Sequence, residues 1–286
     1  MKFNAFLSPA YTRIRAQEMH MQARLFRIFA AIAFFICFVC MCMFLPLHTA
    51  HAADFDELDK PPEGAHKGQM LLGGFFSIGV PYGNSIDAEN NFVKGSTYTF
   101  SGSGTTKLVE VSHLSFGMGL VFEYMPIDYV GIKSRLKRTA IVQRSNFGPD
   151  YENWRGYLYQ DISLSVGPSF HTTSRKMWDF TLTPVIGYAF ARYEAAPVAG
   201  QILSSDISGK RKKSMNGFTY GAELNCTLYF SGGLFISVGA DWTRNMIDFG
   251  GPMDVKKNGA TYFNGKSSGV IDSLGCIISA GYAFFN

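Results

Sequence analysis

The chain carries little charge for its length, and this scarcity excludes the most common soluble classes. Of its 286 residues only 17% are Asp, Glu, Lys or Arg, whereas about 25% is typical of a soluble domain. Aromatic residues make up 15%, and disordered chains are poor in them. Five Cys are too few for a disulfide-stapled scaffold. The composition therefore predicts a folded chain with an unusually apolar surface.

Long apolar runs are scarce as well, because only residues 28–45 could span a bilayer as a helix. A helical membrane bundle is therefore excluded. Arg24 and Arg27 precede the run, and Ala50-His51-Ala52 follows it. A positive flank, an apolar stretch and an A-x-A site together form a cleavable secretory signal. We expect residues 1–52 to be this signal, with a transmembrane anchor as the alternative.

The flank before Arg24 is long for such a signal, which favours a start at Met19 or Met21 rather than Met1. Removing residues 1–52 also takes away five of the 26 basic residues and one of the 22 acidic ones, which leaves 21 of each. No concentrated basic footprint for nucleic acid is left.

Eight segments of ten or more residues carry apolar side chains at every second position. Such alternation predicts strands with one apolar face. The opposite face is mostly Gly, Ser and Thr with a few charges, and transmembrane barrel strands show this pattern over about ten residues each. The predicted strands are 69–80, 108–125, 129–142, 158–171, 178–193, 218–230, 234–246 and 271–285.

Short and long connections alternate between these strands. Bacterial barrels have short periplasmic turns and long outer loops, and only a closed sheet satisfies every backbone group in hydrocarbon. We predict an all-β fold, an eight-stranded antiparallel transmembrane β-barrel over residues 68–286, in the outer membrane of a diderm bacterium. Residues 53–67 would form a periplasmic tail. The alternative is a secreted soluble sandwich or lipocalin-like barrel, whose bulky side chains would lie inside.

One stretch resembles a known family. Gly119–Met125 (GLVFEYM), followed by Asp128–Gly131 (DYVG), is similar to a strand–turn–strand stretch of the outer membrane protein W family. Weaker echoes extend the resemblance over residues 70–286. It implies a barrel that passes small, often hydrophobic, solutes and that is inserted by the outer-membrane assembly machinery. The chain ends Phe284-Phe285-Asn286, whereas the family usually ends on an aromatic residue.

Charged residues on the inward faces predict an ion-pair cluster inside the barrel. The tight turn at 231–233 places Glu223 opposite Asp241, and the third strand lies across an eight-stranded barrel from the seventh. Lys133 and Arg135 can therefore reach these carboxylates. The cluster is either a filter for ions and polar solutes or a structural plug, because such an interior is just wide enough for side chains. The residues assigned to the solute path are Glu123, Lys133, Arg135, Asp161, Glu223 and Asp241, and Lys137 and Asp179 also point inward.

A basic run occurs in the third long connection. Lys210, Arg211, Lys212 and Lys213 could contact anionic lipid head groups or a host polyanion. The alternative is a solvated loop tip.

Three residues have the types of a hydrolytic triad but not its geometry. His113, Ser115 and Glu123 share one strand face, yet ten residues of strand separate His113 from Glu123 by about 33 Å. They cannot form one catalytic group. We predict no enzyme, no cofactor and no metal site.

Two pairs of residues have unusual positions in the predicted strands. Pro168 and Pro184 lie inside the fourth and fifth strands, although proline removes a ladder donor. They predict either a weak seam through which an apolar solute leaves sideways, or two bulges without consequence for transport. Cys226 and Cys276 lie on the sixth and eighth strands, too far apart for a disulfide. We expect two lipid-facing thiols.

These patterns favour a narrow porin-like channel that passes small, hydrophobic solutes through the outer membrane. The alternative is a surface interaction protein, in which the loops bind a host or envelope component. In that case the barrel serves only as an anchor in the outer-membrane lipid.

Overall fold

A computed structural model describes the barrel and parts of its connections. The described residues are 64–94, 97–100, 104–107, 110–146, 152–195, 203–204, 207–209, 212–230, 233–251, 253, 255–258, 260–261 and 268–284. The expected signal, with its cleavage after Ala52, lies outside these residues, as do Lys210 and Arg211.

Long strands dominate the described residues, with short strands and one helix between them. The long strands are β1 (Met70–Tyr82), β4 (Glu110–Ile127), β5 (Val130–Asn146), β6 (Glu152–His171), β7 (Trp178–Glu194), β10 (Lys212–Tyr229), β11 (Leu234–Asp248) and β14 (Ser268–Phe284). The short strands are β2 (Thr97–Phe100), β3 (Gly104–Lys107), β8 (Leu203–Ser204), β9 (Ile207–Gly209), β12 (Val255–Lys257) and β13 (Ala260–Thr261), and the helix is α1 (Asn84–Val93).

The eight long strands close into an antiparallel barrel in the order β1-β14-β11-β10-β7-β6-β5-β4. The predicted fold class is therefore confirmed. The short strands form two small sheets, β13-β12-β9 and β3-β2-β8. Among the described residues, no helix has the length and apolar character needed to cross a membrane.

The strand register fixes the width of the barrel. Residues paired around the barrel lead from Leu72, through each neighbour in turn, back to β1 at Tyr82, an offset of ten residues. Eight strands with a stagger of this size are tilted by about 35–45° and enclose an interior that side chains fill. The register thus predicts a packed lumen.

The outer face of the barrel is a belt of large apolar side chains. Apart from one irregularity in β6, the inward and outward faces follow the predicted alternation, and outward residues such as Leu120, Leu164 and Ile186 are more than half exposed. An apolar surface of this extent is not stable in water, whereas a closed sheet suits the hydrocarbon of a bilayer. The chain is an outer-membrane barrel. Tyr124, Tyr129, Trp178 and Tyr282 form an aromatic girdle near the short-turn end.

Apolar side chains close both ends of the interior. The periplasmic plug consists of Ala65, Leu71, Met125, Tyr229, Phe235 and Ala283. The extracellular cap contains Ile86 and Val93 of α1, packed on barrel residues that include Ile141, Leu158, Tyr159, Tyr193 and Phe249. The expectation that the inward face is mostly Gly, Ser and Thr therefore fails at both ends, and the middle of the barrel also holds the buried apolar side chains Phe75, Val121 and Ile277.

The helix α1 lies in a connection that the sequence predicts only as a loop. Gly83, just before the helix, has φ of 107°, a backbone conformation that glycine adopts readily and other residues rarely. A Cβ at this position would lie 2.9 Å from the Val270 carbonyl oxygen. Glycine thus lets the chain turn from β1 over the mouth of the barrel, where Ile86 joins the extracellular cap.

Leu158 is buried, although the alternation predicts that it points outward. Ile141 pairs with Tyr159 and Val142 pairs with Tyr157, so Leu158 is an extra residue in the ladder. This β-bulge turns both Leu158 and Tyr159 inward, where they are 0% and 1% exposed. The prediction was wrong because a bulge leaves no trace in a two-residue period.

The periplasmic end is held together by the segment before β1. Asp128, in the short turn after β4, accepts hydrogen bonds from the Lys67 backbone N–H at 2.9 Å and from Ser174 Oγ at 3.3 Å. The Lys67 N–H holds the pKa of the Asp128 carboxyl below its usual range. Residues 64–67, which the sequence predicts as a tail, therefore lie against the barrel end.

The two cysteines on the barrel strands do not form a disulfide. Cys226 on β10 pairs with Val238 of β11, and Cys276 on β14 pairs with Ala240 of β11. The intervening strand that the sequence predicts is confirmed, and both thiols are partly exposed on the outer face.

Two glycines on neighbouring strands provide a matched stability test. A Cβ at Gly119 would lie 2.0 Å from the Leu136 carbonyl oxygen, whereas one at Gly74 would meet nothing closer than 3.7 Å. We expect Gly119→Ala to lower the free energy of unfolding by about 1–3 kcal/mol and Gly74→Ala to leave it nearly unchanged. Urea unfolding in lipid vesicles measures both. Equal stability of the two variants would contradict the register described here.

Candidate functional site

Five charged side chains meet in the middle of the lumen. This ion-pair cluster consists of Lys133, Arg135 and Lys137 from β5 and of Glu223 and Asp241 from the opposite wall. Alternate residues of a strand point to the same face, so the three cations form one column. Glu223 and Asp241 are direct neighbours in the β10–β11 register. The predicted meeting of β5 with the opposite wall is thus present.

The cluster is linked by four ion pairs. Lys133 Nζ lies 2.7 Å from Glu223 Oε2, and Arg135 Nη1 lies 3.3 Å from Asp241 Oδ1. Arg135 Nη1 also pairs with Glu223 Oε1, and Lys137 Nζ pairs with Asp241 Oδ2. Each carboxylate therefore binds two cations, and Arg135 joins the two halves.

Neighbouring polar groups complete the hydrogen bonding of the cluster. Asn225 Nδ2 donates to Glu223 at 3.2 Å, and Thr243 Oγ1 donates to Asp241 at 3.2 Å. The side chain of Arg135 is 3% exposed and that of Glu223 is 0% exposed. Buried charges are tolerated only when they are paired and hydrogen-bonded in this way. The cluster therefore forms a fixed polar group in the middle of the lumen, beside the buried apolar side chains Phe75, Val121 and Ile277.

Two of the six residues assigned to the solute path lie outside the cluster. Glu123, near the periplasmic end, accepts a hydrogen bond from Ser169 Oγ. Asp161, closer to the extracellular cap, accepts hydrogen bonds from Tyr159 Oη at 2.8 Å and from the Thr139 N–H at 3.1 Å. Lys137, which the sequence analysis names only as inward-facing, belongs to the cluster.

A buried histidine that the sequence analysis does not name lies between two carboxylates. His171 Nε2 is 2.9 Å from Glu123 Oε1, and His171 Nδ1 is 2.5 Å from Asp179 Oδ2. Asp179 Oδ1 also accepts the N–H groups of Thr172 and Thr173, both at 3.0 Å. This group anchors the turn between β6 and β7. Its position on the face of Ser169 was predictable from the alternation, but the turn geometry that adds Asp179 was not.

One cavity on the barrel axis is very small. A cavity of about 20 Å³ lies between the periplasmic plug and the ion-pair cluster, lined in part by Leu71, Glu123, Lys133 and Asn225. A water molecule needs at least about 10–15 Å³, so this space accommodates about one water. The periplasmic plug, the ion-pair cluster and the extracellular cap thus occupy successive levels of the barrel axis.

The wall of the barrel has a gap in its hydrogen-bond ladder between β6 and β7. Pairing runs to Val166 opposite Ile186 and resumes at Phe170 opposite Leu182. Between these points, three residues of β6 and three residues of β7 are not paired with each other, although each remains paired with its other neighbouring strand. Pro168 and Pro184 lie at the centre of the two unpaired segments, and neither has an N–H to donate. We call this gap the seam.

The described part of the basic run faces other groups of this chain. Lys212 Nζ lies 3.4 Å from Glu194 Oε2, and Lys213 Nζ donates to the Gly251 carbonyl at 2.9 Å. A role of the run in binding lipid or a host polyanion stays a prediction.

The residues of the rejected triad are far apart. His113 is paired with Gln143 near the extracellular end of β4, whereas Glu123 contacts His171 near the other end. The structure therefore does not bring His113, Ser115 and Glu123 together.

The solved structures that are similar to this chain include outer-membrane proteins. No protein-family model matches it, and no curated protein matches it. The outer membrane protein OprG from Pseudomonas aeruginosa is 13% identical, with 78% of this chain and 99% of that chain covered and a TM-score of 0.45. Ail, the attachment invasion locus protein of Yersinia pestis, is 14% identical, with 76% of this chain and 99% of that chain covered and a TM-score of 0.35. The outer membrane protein AlkL is 15% identical, with 81% of this chain and 97% of that chain covered and a TM-score of 0.31. Membership of the outer membrane protein W family stays a prediction.

The ion-pair cluster should be central to stability. Glu223→Ala removes the ion-pair partner of Lys133, which then has only the neighbouring Glu123, and it also removes one partner of Arg135. We therefore expect a loss of about 3–5 kcal/mol in the free energy of unfolding. Lys133→Met should cost less, because Glu223 keeps Arg135 and the methionine retains an apolar stem in its place. Urea unfolding of both refolded variants measures the difference. A Glu223→Ala barrel as stable as the Lys133→Met barrel would contradict the arrangement.

Proposed function

We propose that this barrel passes small apolar solutes from the cell surface and releases them sideways, through the seam, into the outer membrane. The observation that carries the proposal is the three-residue gap in the β6–β7 ladder at Pro168 and Pro184. A transmembrane strand normally satisfies every backbone group within the sheet. A gap in the middle of the wall is therefore a weak point where two strands can separate at low cost.

The interior favours a sideways route over an axial one. Arg135 and its partners fill the middle of the lumen with charge, and an apolar molecule gains nothing by displacing paired charges. Gly167, at the edge of the seam, pairs directly with Lys133 of the cluster. The wall is thus weakest at the level where the lumen is closed.

The surroundings of the seam suit an apolar solute. Above the cluster the inward side chains include Ser163, Ala189 and Thr219, which are small. The extracellular cap at the mouth is apolar, so an apolar solute that enters there can make the packing contacts that the cap residues otherwise make with one another. On the proposed route the solute enters through the apolar cap, passes the small side chains and reaches the wall at the upper edge of the seam, at Gly167 and Val185.

A second function is favoured by the filled lumen itself. A barrel closed by the plug, the cluster and the cap also suits an anchor for binding loops, because an anchor needs no passage through the lumen. Under this alternative a Lys212→Gln, Lys213→Gln variant would lose binding to a host or envelope component. Under the proposed function the same variant would keep solute uptake.

The seam can be sealed by restoring the two missing donors. We expect Pro168→Val combined with Pro184→Val to let the ladder close, because valine supplies an N–H and suits a strand. Uptake of an apolar naphthylamine dye by cells carrying this variant should fall to the level of cells without the barrel. Its thermal stability should rise.

The matched control for the sealed barrel is Pro126→Val, which changes a proline at the short-turn end of β4, away from the seam. Dye uptake by this variant should equal that of the unaltered barrel. A sealed variant that folds, resists protease and still takes up dye at the original rate would contradict sideways release.

A further inference from the structure

The most exposed apolar side chains gather on one side of the barrel. Leu164, Ile186, Phe190 and Phe218 are 62–64% exposed, more than any other large apolar residue among those described. They lie on the neighbouring strands β6, β7 and β10. The lipid-facing surface is therefore not uniform, since these side chains stand out from the wall on this side.

A groove runs between three of these side chains, Leu164, Ile186 and Phe218. It has a volume of about 370 Å³, with Ser165 and Gly187 at its base and Leu164, Ile186 and Phe218 among its walls. The ring of Tyr188 makes an edge-to-face contact with Phe218, with centroids 5.5 Å apart. A second such contact, at 5.3 Å, joins Tyr188 to Phe190. These contacts hold the aromatic wall in place, so the groove is a preformed apolar slot wide enough for part of an acyl chain.

Two arginines lie toward the extracellular end of this groove. Arg138 on β5 and Arg192 on β7 both point outward and are exposed. Arg138 is level with Ile162 and Phe190, and Arg192 is two residues nearer the long connections. The two arginines are separated by two strand spacings of about 4.8 Å and by two residues of about 3.3 Å along the strand, so their Cα atoms lie about 12 Å apart. Two arginine side chains can span that distance to one phosphorylated head group.

Neither arginine is neutralised by the described part of the chain, where no acidic side chain forms an ion pair with Arg138 or Arg192. Arg244 provides the contrast, because it also faces outward and Asp272 binds it through two hydrogen bonds of 2.6 and 3.0 Å. A lipid-facing cation is costly near hydrocarbon and tolerated near the head groups. Two such cations beside an apolar slot are therefore complementary to an anionic lipid.

We propose that the groove and the two arginines bind one phosphorylated glycolipid of the outer leaflet. An acyl chain would lie in the groove against Phe218 and Ile186, and a phosphate would accept hydrogen bonds from Arg138 and Arg192. Guanidinium groups bind phosphate through two parallel hydrogen bonds, which makes arginine better suited than lysine here. The site lies on the outer face, so this inference does not depend on the proposed solute passage.

The test measures retention of lipid A by the refolded barrel. The barrel is prepared in detergent with a limiting amount of lipid A, and native mass spectrometry counts the glycolipids bound. We expect one retained molecule per barrel. Arg138→Gln combined with Arg192→Gln should weaken retention by about tenfold for each arginine–phosphate pair lost, since a hydrogen bond to a charged group contributes at least that much.

The matched control is Arg175→Gln combined with Lys176→Gln, which removes two cations at the opposite end of the same β6–β7 hairpin. This control should retain lipid A like the unaltered barrel. A second probe needs no variant, because lipid A with its phosphates removed should be retained no better than a neutral glycolipid without phosphate. Equal retention of phosphorylated and dephosphorylated lipid, or equal loss in the control and the Arg138 and Arg192 variant, would overturn the proposal.

Discussion

The buried pairing of Arg135 with Glu223 and Asp241 constrains every other part of this barrel. An eight-stranded wall with this stagger encloses only enough room for side chains, and here the middle of that room is occupied by paired charges. Charges in such a place must remain paired, because an unpaired one is costly to bury. The cluster therefore fixes the distance between opposite walls and leaves the lumen closed at its centre.

Because the lumen is closed at its centre, the irregular parts of the barrel wall become the candidates for function. The ladder is interrupted at Pro168 and Pro184, at the level where Lys133 enters the cluster. On the outer face, just toward the cell surface from this interruption, lies the groove at Ser165 and Gly187. The interrupted ladder and the groove on the lipid-facing surface thus both lie on the β6–β7 hairpin. A uniform anchor would need neither feature.

Most of the barrel was predictable from the sequence, because a two-residue period determines which face each side chain takes. The eight strands, the Glu223–Asp241 pairing and the approach of Lys133 and Arg135 all follow from that period and from one tight turn. Features that depend on broken periodicity were not predictable. The bulge at Leu158 and the helix that carries Ile86 are of this kind.

The candidate site was predictable in part for the same reason. Alternation places Glu123 and Asp161 on the inward face, but it does not say which inward residues touch. Their heights along the barrel depend on the stagger between strands, which no single strand encodes. Asp161 therefore belongs with Tyr159, and Glu123 belongs with His171, while Lys137 completes the cluster.

The most direct test of the closed lumen is single-channel conductance of the refolded barrel, residues 53–286, in a planar bilayer. Protease resistance of the same sample establishes that the barrel is folded. The structure predicts that the folded barrel shows no discrete current steps. Discrete steps that change size when Lys133 and Arg135 are both replaced by alanine would contradict it, because they would show an open axial pore controlled by the cluster.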